Sequence, residues 1–273
     1  MKASLIGEIA VVETHGEKLP QVKKFAQELL ARQKNVRTVA VKATNTEGKF
    51  RVRKVKVVAG VKSTKTTYRE NGCTFKFDLN KVYFSPRLAF ERQRICELCQ
   101  PGEKILVLFA GVGPYAIVIG RKIALLERVA EKKKQKLPKT EVIGVELNPA
   151  GIKYFEQNIS LNKVAGIVWA VKADAKKFLA KKENFKKFSR IMMPLPKTAD
   201  KFLEGAVKCA AKGATVHFYS IESELTENIY AAAEKKITQA CAKEKRKFKV
   251  LLERTVLPYA PRVAQIVVDF EVK

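Results

Sequence analysis

Two glycines follow an apolar run in the middle of the chain, in a pattern suited to contact with a bound ligand. The run Lys104–Leu108 leads directly into Phe109, Ala110, Gly111, Val112, Gly113 and Pro114. Glycines after a buried strand let the backbone turn tightly and approach a ligand without a Cβ in the way. In an open α/β sheet such a turn lies at the carboxyl edge, where ligands bind. Taken alone, two glycines are weak evidence for a site.

Acidic residues at the ends of the next two apolar runs strengthen this interpretation. The run Val142–Glu146 ends in a carboxylate that can accept two hydrogen bonds from a ribose diol, and it continues into Leu147 and Asn148. Asp174 follows the run Ile167–Val171 and can accept a hydrogen bond from an adenine amino group. Helix capping is the alternative role for both carboxylates. Together the three strand ends predict a nucleoside-binding site.

Strands and helices alternate after Pro86, which is typical of a parallel sheet covered on both faces. The predicted strands are Lys104–Phe109, Val142–Glu146, Ile167–Val171, Arg190–Met193 and Ala214–Tyr219. The predicted helices are Arg87–Cys99, Tyr115–Ala130, Pro149–Leu161, Ala199–Ala211 and Ser223–Cys241. Lys249–Leu257 and Val263–Phe270 follow as two successive strands at an antiparallel end of the sheet. The pattern predicts an α/β, Rossmann-like fold.

A small α+β domain is predicted to precede this sheet. Its helix is expected over Gln21–Gln33, and Phe50–Val58 alternates like a half-buried strand. Thr64–Arg69 and Cys73–Leu79, joined by an Asn71-Gly72 turn, are expected to complete the sheet of this domain. We place the two domains at residues 1–83 and 84–273.

Charge points to a polyanionic partner. Lys and Arg number 54 against 27 acidic residues, giving a formal net charge of +27 that is spread over the whole chain. A folded chain this cationic repels itself unless phosphates neutralise it, which favours nucleic-acid binding. The alternative is the lysine-rich composition of a heat-adapted organism.

Other features narrow the class of protein. The sequence has no run of eighteen apolar residues and no signal-peptide pattern at its start, so we expect a cytoplasmic protein that does not enter a membrane. Its five cysteines are scattered, as reduced thiols are. Cys96 and Cys99 form a C-x-x-C without a second pair or a nearby histidine, so no metal site is expected. We expect a monomer.

Three motifs in order along the chain carry a resemblance to a known family. They are Tyr83-Phe84-Ser85-Pro86-Arg87-Leu88-Ala89-Phe90-Glu91-Arg92, Leu108-Phe109-Ala110-Gly111-Val112-Gly113-Pro114 and Glu146-Leu147-Asn148-Pro149. The sequence resembles the archaeal and eukaryotic tRNA (guanine-N1) methyltransferases that act at position 37. This resemblance implies a class I methyltransferase fold, S-adenosyl-L-methionine as methyl donor and tRNA as partner. The family commonly carries a further small amino-terminal domain, and this chain is expected to begin after it.

The resemblance also implies roles for individual residues. Glu91 would accept the proton of guanine N1, and Arg51, or Arg53 in its place, would stabilise the charge that moves to O6. The alternatives are a surface salt bridge of Glu91 with Arg87 or Arg94 and a solvated strand face for Arg51. Residues implied to bind the substrate are Arg53, Tyr83, Arg87 and Pro196. Residues implied to bind the cofactor are Phe109, Ala110, Gly111, Gly113, Pro114, Glu146, Leu147, Asn148, Asp174 and Pro194.

Two positions depart from the pattern of the family. Val107 stands where the first strand of the sheet usually ends in an acidic residue, and Pro194 stands where an asparagine usually contacts the target base. Proline has no side-chain donor and no backbone N–H, so contacts there would fall to carbonyl oxygens, for example of Met193 or Leu195. Alternatives are therefore a wyosine-pathway enzyme that transfers a methyl or aminocarboxypropyl group to a modified guanosine 37, or a non-catalytic tRNA-binding relative.

Overall fold

The amino-terminal part of the chain forms a four-stranded sheet covered by one helix. The computed structural model describes residues 1–43, 52 and 54–273. The strands are β1 (Lys2–Ile6), β2 (Ile9–Glu13), β3 (Thr38–Lys42) and β4 (Val55–Gly60), paired in that order, and the helix is α1 (Leu19–Arg32). Gly7, with a φ of 60°, turns the chain between β1 and β2, which pair antiparallel as a hairpin.

A separate hairpin follows. Strands β5 (Lys65–Glu70) and β6 (Cys73–Asp78) pair only with each other, so the expectation that they complete the first sheet is wrong. The predicted turn is confirmed, because Asn71 and Gly72 have φ values of 47° and 70°, as a tight hairpin turn requires. The hairpin packs instead against helices of the larger sheet, which offer its apolar side chains a deeper core.

The larger sheet has seven strands in the order β12-β13-β11-β10-β7-β8-β9. Its strands are β7 (Lys104–Leu108), β8 (Glu141–Glu146), β9 (Val168–Lys172), β10 (Phe188–Met193), β11 (Ala210–Ser223), β12 (Phe248–Ala260) and β13 (Val263–Val272). The five strands from β7 to β11 are parallel, β13 pairs antiparallel with β11, and β12 pairs antiparallel with β13. The predicted Rossmann-like sheet with an antiparallel end is confirmed.

Alternate residues of the buried strands face two different layers of helices. In β7, Ile105 and Val107 belong to the core beneath α2, α3 and α4, whereas Leu106 and Leu108 belong to the core beneath α5, α6 and α7. These helices are α2 (Ala89–Leu98), α3 (Pro114–Lys132), α4 (Pro149–Leu161), α5 (Ala175–Leu179), α6 (Leu203–Cys209) and α7 (Ala231–Lys243). Among the described residues, none of the helices is both long and apolar enough to span a bilayer.

Two predicted helices differ from the observed ones at their starts. The helix expected from Ser223 begins at Ala231, because β11 runs on to Ser223 and a turn follows it. The helix expected over Ala199–Ala211 is a 3-10 turn at Ala199–Phe202 followed by α6. Both differences lie beside the carboxyl edge of the sheet, where the chain must leave the strands to form loops.

Candidate functional site

The glycine-containing turn after β7 has the backbone that was expected of it. Phe109, Gly111 and Gly113 have φ values of 55°, 58° and 85°, in the left-handed region. A Cβ on Gly113 would lie 2.1 Å from a ring carbon of Phe155, so the turn can pack on α4 only with glycine there. A Cβ on Gly111 would meet nothing closer than 3.9 Å, so it would point into free space. The turn therefore leaves room beside Gly111.

Glu146 at the end of β8 holds this turn in place. Its two carboxylate oxygens accept hydrogen bonds from the backbone N–H groups of Gly111 and Asn148, each at 2.7 Å. A carboxylate offers about four acceptor positions, so roughly two stay open after these bonds. That is the number a ribose diol needs, and the half-buried Glu146 can supply them at the sheet edge.

Asn148 and Asp174 both cap helices. For Asp174, capping is the alternative role that the sequence suggested. The Asn148 side chain accepts from the N–H of Ala150 at 3.0 Å and caps α4. Asp174 uses one oxygen, Oδ1, to accept from the N–H groups of Lys176 and Lys177 at the start of α5. The capping bonds of Asp174 all go to Oδ1, so its adenine-binding role stays a prediction that capping does not exclude.

The segment before α2 crosses the ends of β7 and β8. The amide of Asn148 donates to the Lys81 carbonyl at 2.8 Å, and the Tyr83 carbonyl lies 3.9 Å from the position of a Cβ on Gly111. Tyr83 is 51% exposed beside this turn. Arg87, also exposed, donates to the Pro258 carbonyl of β12 at 2.9 Å. Tyr83 thus lies at the predicted cofactor turn, while Arg87 reaches the antiparallel end of the sheet.

Glu91 is buried in the first turn of α2. Only 1% of the residue is exposed, and its carboxylate is bound by two side chains. Oε1 accepts from the Tyr219 hydroxyl at 2.6 Å and from Arg94 at 2.7 Å, while Oε2 accepts from Arg94 at 2.9 Å. The predicted contact with Arg94 therefore exists, but as a buried ion pair rather than a surface one.

Two tyrosines connect Glu91 with the glycine-containing turn. Tyr219 of β11, which binds Glu91, has its ring centroid 6.4 Å from that of Tyr115, and Tyr115 follows Pro114 at the start of α3. Burial, together with the neighbouring Tyr115 and Glu91, raises the pKa of Tyr219 well above its ordinary value. Tyr219 therefore remains a hydrogen-bond donor, and Glu91 is connected through Tyr219 to Tyr115, two residues after Gly113.

The buried ion pair continues away from the site beneath α2. Arg94 donates to Asp269 of β13 at 2.6 Å, and Asp269 lies 2.7 Å from Nδ1 of His217. Nε2 of His217 lies 2.9 Å from Arg190, which can only donate, so Nε2 accepts this bond and Nδ1 donates to Asp269. Burial opposes ionisation of Asp269, but His217 and Arg94 outweigh it and hold its pKa below the usual value.

Sequence reasoning missed Tyr219, His217 and Asp269. Their signal was present, because His217 and Tyr219 are polar side chains two residues apart in an otherwise apolar strand and so share one face of the sheet. A buried polar group needs a partner. Nothing local identifies that partner. Tyr219 and Glu91 are 128 residues apart in sequence, and Arg94 and Asp269 are 175 residues apart.

The loop after β10 shows what Pro194 leaves available. The Met193 carbonyl, at the end of β10, accepts a hydrogen bond from the N–H of Leu195 at 2.8 Å. The Leu195 carbonyl accepts two, from Thr198 at 3.1 Å and Ala199 at 3.0 Å. A carbonyl oxygen has two lone pairs, so the Leu195 carbonyl has no acceptor position left for a base.

The remaining residues singled out in the sequence lie at the edge of the sheet, in its core, or outside the described part of the chain. Ala110 is buried and donates to the Val145 carbonyl at 3.0 Å, while Leu147 and Pro196 are half-buried in the loops after β8 and β10. Val107 is buried in the core, 1% exposed. Arg51 and Arg53 lie outside the described residues, so their predicted contacts stay predictions.

Exposed aromatic rings and cations surround this edge. Phe90, next to Glu91 in sequence, is 65% exposed, and the Arg254 guanidinium lies 4.7 Å from its ring centroid. Tyr259 is 47% exposed, with the Lys197 ammonium 5.3 Å from its ring centroid. Aromatic faces beside cations suit the unstacked bases and phosphates of single-stranded RNA. We refer to Phe90, Arg254, Tyr259 and Lys197 as the aromatic rim.

Comparison with known proteins covers both parts of the chain. Residues 66–251 match the family model of the TRM5/TYW2 methyltransferase domain, and residues 4–64 match that of the TYW2 N-terminal domain. The first of these matches begins at β5, so it includes the hairpin that packs against the larger sheet. The second ends within the loop that precedes this hairpin.

Two relatives and two solved structures illustrate the similarity. The tRNA (guanine(37)-N(1))-methyltransferase Trm5b of Pyrococcus abyssi is 36% identical over 98% of this chain and 74% of its own length. A Trm5b crystal structure from P. abyssi matches 100% of this chain and 75% of its own with a TM-score of 0.84. The tRNA (guanine(37)-N(1))/4-demethylwyosine(37)-methyltransferase Taw22 of Nanoarchaeum equitans is 30% identical over 84% of this chain and 87% of its own. The solved complex of aTrm5 with tRNALeu has a TM-score of 0.81 at 28% identity, covering 100% of this chain and 72% of that one.

Proposed function

Because the chain belongs to the TRM5/TYW2 methyltransferase family, we propose that it methylates N1 of guanosine 37 in tRNA. The observation that carries this proposal is the position of Glu91. A buried carboxylate with an unused acceptor position is connected through Tyr219 and Tyr115 to a turn shaped for a nucleoside. Proton removal and methyl donation must occur side by side in this reaction.

S-Adenosyl-L-methionine is the proposed methyl donor. The room beside Gly111 and the roughly two unused acceptor positions of Glu146 fit its adenosine part. Asp174 would accept from the adenine amino group through its second oxygen. When bound, the cofactor supplies a methyl group carried on a sulfonium. No metal is required for this chemistry.

Glu91 is the proposed base. The N1–H bond of guanine breaks as Oε2 takes the proton, and the electron pair left on N1 forms the new bond to the methyl carbon while the bond from that carbon to sulfur breaks. A positioned base of this kind contributes about 100- to 10,000-fold in rate. Arg51, or Arg53, is proposed to stabilise the charge that moves to O6.

The proposed nucleic-acid substrate agrees with the surface of the chain. A net charge of +27 favours phosphate binding, and the aromatic rim offers rings to bases turned out of the anticodon loop. Tyr83, Arg87 and Pro196 are proposed to contact the target nucleotide from the loops before α2 and after β10. We propose cytoplasmic tRNA as the substrate pool.

The similarity to Taw22 favours a second candidate, methylation of 4-demethylwyosine at position 37. The Trm5b match weighs towards plain guanosine, because it has the higher identity and covers more of this chain. Plain guanosine is therefore the preferred substrate.

The experiment compares two tRNA substrates and two labels. Unmodified tRNA and tRNA carrying 4-demethylwyosine are each incubated with cofactor labelled either on the methyl carbon or on the aminocarboxypropyl carbons. Nucleoside mass spectrometry is expected to find methyl label in 1-methylguanosine from the unmodified tRNA. Methyl label only in the tricyclic nucleoside would favour the second candidate, and transfer of the other label would overturn methylation. Cofactor binding without any transfer would indicate a non-catalytic relative.

A further inference from the structure

We propose that Tyr219 is a positioning residue that leaves the Glu91 carboxylate a single open acceptor position, on the oxygen that Tyr219 does not bind, an inference that rests on the proposed function. Tyr219 donates to Oε1 alone, at 2.6 Å. Arg94 donates to both oxygens, at 2.7 Å to Oε1 and 2.9 Å to Oε2. Three of about four acceptor positions are therefore filled, and the one that remains is on Oε2.

Arg94 by itself does not decide which acceptor position stays open. Its guanidinium forks onto both carboxylate oxygens and leaves one further acceptor position on each. The Tyr219 hydroxyl fills the further position on Oε1, so a substrate proton can be accepted only at Oε2.

The surroundings make Tyr219 a rigid donor. It lies in β11, with β10 on one side and β13 on the other, and none of its surface is exposed. Arg94 also donates to Asp269, which is in turn bound to His217. Neither partner of Glu91 can follow the carboxylate if it moves, so the three bonds define one orientation.

A matched pair of tyrosine variants isolates this role. Tyr219→Phe removes the hydroxyl that binds Glu91, whereas Tyr154→Phe removes a half-buried hydroxyl of α4 that has no hydrogen-bond partner in the described part of the chain. We expect Tyr219→Phe to slow single-turnover methyl transfer about tenfold, the value of a charge-assisted hydrogen bond. The dissociation constants for cofactor and tRNA should stay within about twofold, and Tyr154→Phe should keep the wild-type rate.

A double-mutant cycle tests whether Tyr219 acts through Glu91. In a Glu91→Gln background, Tyr219→Phe is expected to change the remaining rate by less than about twofold. A tenfold loss in both backgrounds, or a loss of cofactor affinity, would mean a merely structural role and would overturn the inference. If Tyr219→Phe fails to fold, Asp269→Asn, which loosens Arg94, is put through the same cycle with the same expected outcome.

The failure of this inference can be separated from that of the proposed function. A slow Glu91→Gln enzyme together with an unimpaired Tyr219→Phe enzyme overturns the positioning role alone. An unimpaired Glu91→Gln enzyme overturns the base, and the positioning role with it. Methyl transfer is followed with labelled cofactor and unmodified tRNA in every arm.

Discussion

The side-chain amide of Asn158 binds both backbone groups of Lys76, accepting from its N–H at 2.8 Å and donating to its carbonyl at 3.2 Å. One turn further along α4, Asn162 makes the same pair of bonds with Thr74, at 2.8 and 2.7 Å. Two asparagines on a helix thus stand where a third strand would pair with β6. They provide hydrogen-bond partners for backbone N–H and carbonyl groups of β6 that would otherwise be buried unpaired.

Replacement of Asn158 is expected to destabilise the chain. Asn158 also donates to the Val112 carbonyl in the glycine-containing turn, at 3.2 Å. Asn158→Leu would leave buried backbone groups without partners, at a cost of about 3 kcal/mol in the free energy of unfolding. Urea denaturation measures this change in the free energy of unfolding. Gln157→Leu, at the exposed neighbouring position, is the control and should stay within about 0.5 kcal/mol of the original chain. Equal stability of the two variants would contradict the pairing role.

A methyl group on Gly113 should cost more than backbone strain alone. Gly113 and Gly166 have nearly equal φ values, 85° and 89°, but only Gly113 has Phe155 in the way of a Cβ, and nothing lies within 4 Å of one on Gly166. Gly166→Ala therefore measures the strain by itself, about 1 kcal/mol. Gly113→Ala is expected to lose about 2 kcal/mol more, because the clash must be relieved. Thermal unfolding of both variants checks the difference, and Gly113→Ala with Phe155→Leu should recover part of it.

The local patterns of the sequence were sufficient for the elements and for the cofactor turn. Asn148 before Pro149 predicted the start of α4, and the glycines after β7 predicted a left-handed turn, because both signals lie within a few residues of their effect. The hairpin β5–β6 was predicted as a hairpin but assigned to the wrong sheet. Its turn is local, whereas its packing depends on Asn158 and Asn162, more than 80 residues away.

The surroundings of Glu91 could not be predicted for the same reason. Spacing along α2 correctly suggested a contact with Arg94, three residues on. Whether that contact is buried depends on β11 and β13, which come from the far end of the chain and place Tyr219 and Asp269 beneath the helix. A one-dimensional pattern shows that a strand carries polar residues on one face, but not which helix will cover them.

Glu146→Gln should weaken cofactor binding. An amide has one oxygen in place of two, so its NH2 group would face the N–H of either Gly111 or Asn148 and could not accept from a ribose hydroxyl. We expect the dissociation constant for S-adenosyl-L-methionine to rise about 30-fold, measured by calorimetry without tRNA. Glu156→Gln, on the exposed face of α4, is the control. Unchanged affinity in the Glu146 variant would show that the cofactor does not use this carboxylate.

The aromatic rim should contribute to tRNA affinity in two separable ways. Phe90→Ala removes a ring on which a base can stack and is expected to weaken tRNA binding about tenfold at every salt concentration. Arg254→Ala removes a charge and should reduce the slope of log affinity against log salt by about 0.7. Leu225→Ala, at a position 70% exposed and outside the rim, should leave both quantities unchanged. Filter binding over a salt series measures them, and identical lines for Phe90→Ala and the original chain would exclude stacking.

The depressed pKa of Asp269 predicts how stability depends on pH. Its folded pKa lies below the ordinary 3.8, so its ionised form stabilises the fold fully above that value, and this stabilisation is lost as the pH falls from about 3.8 through the folded pKa. Asp269→Asn presents an NH2 group to one of two donors, His217 or Arg94, and should cost about 3 kcal/mol at pH 7. The slope of its stability against pH below about 4 should also be shallower than in the original chain.

Glu141 has a lowered pKa as well, through Lys104, but lies near the surface, so Glu141→Gln should change the curve little. Urea denaturation between pH 3 and pH 7 distinguishes the two variants, and parallel curves for Asp269→Asn and the original chain would show that the buried carboxylate is not the group that titrates.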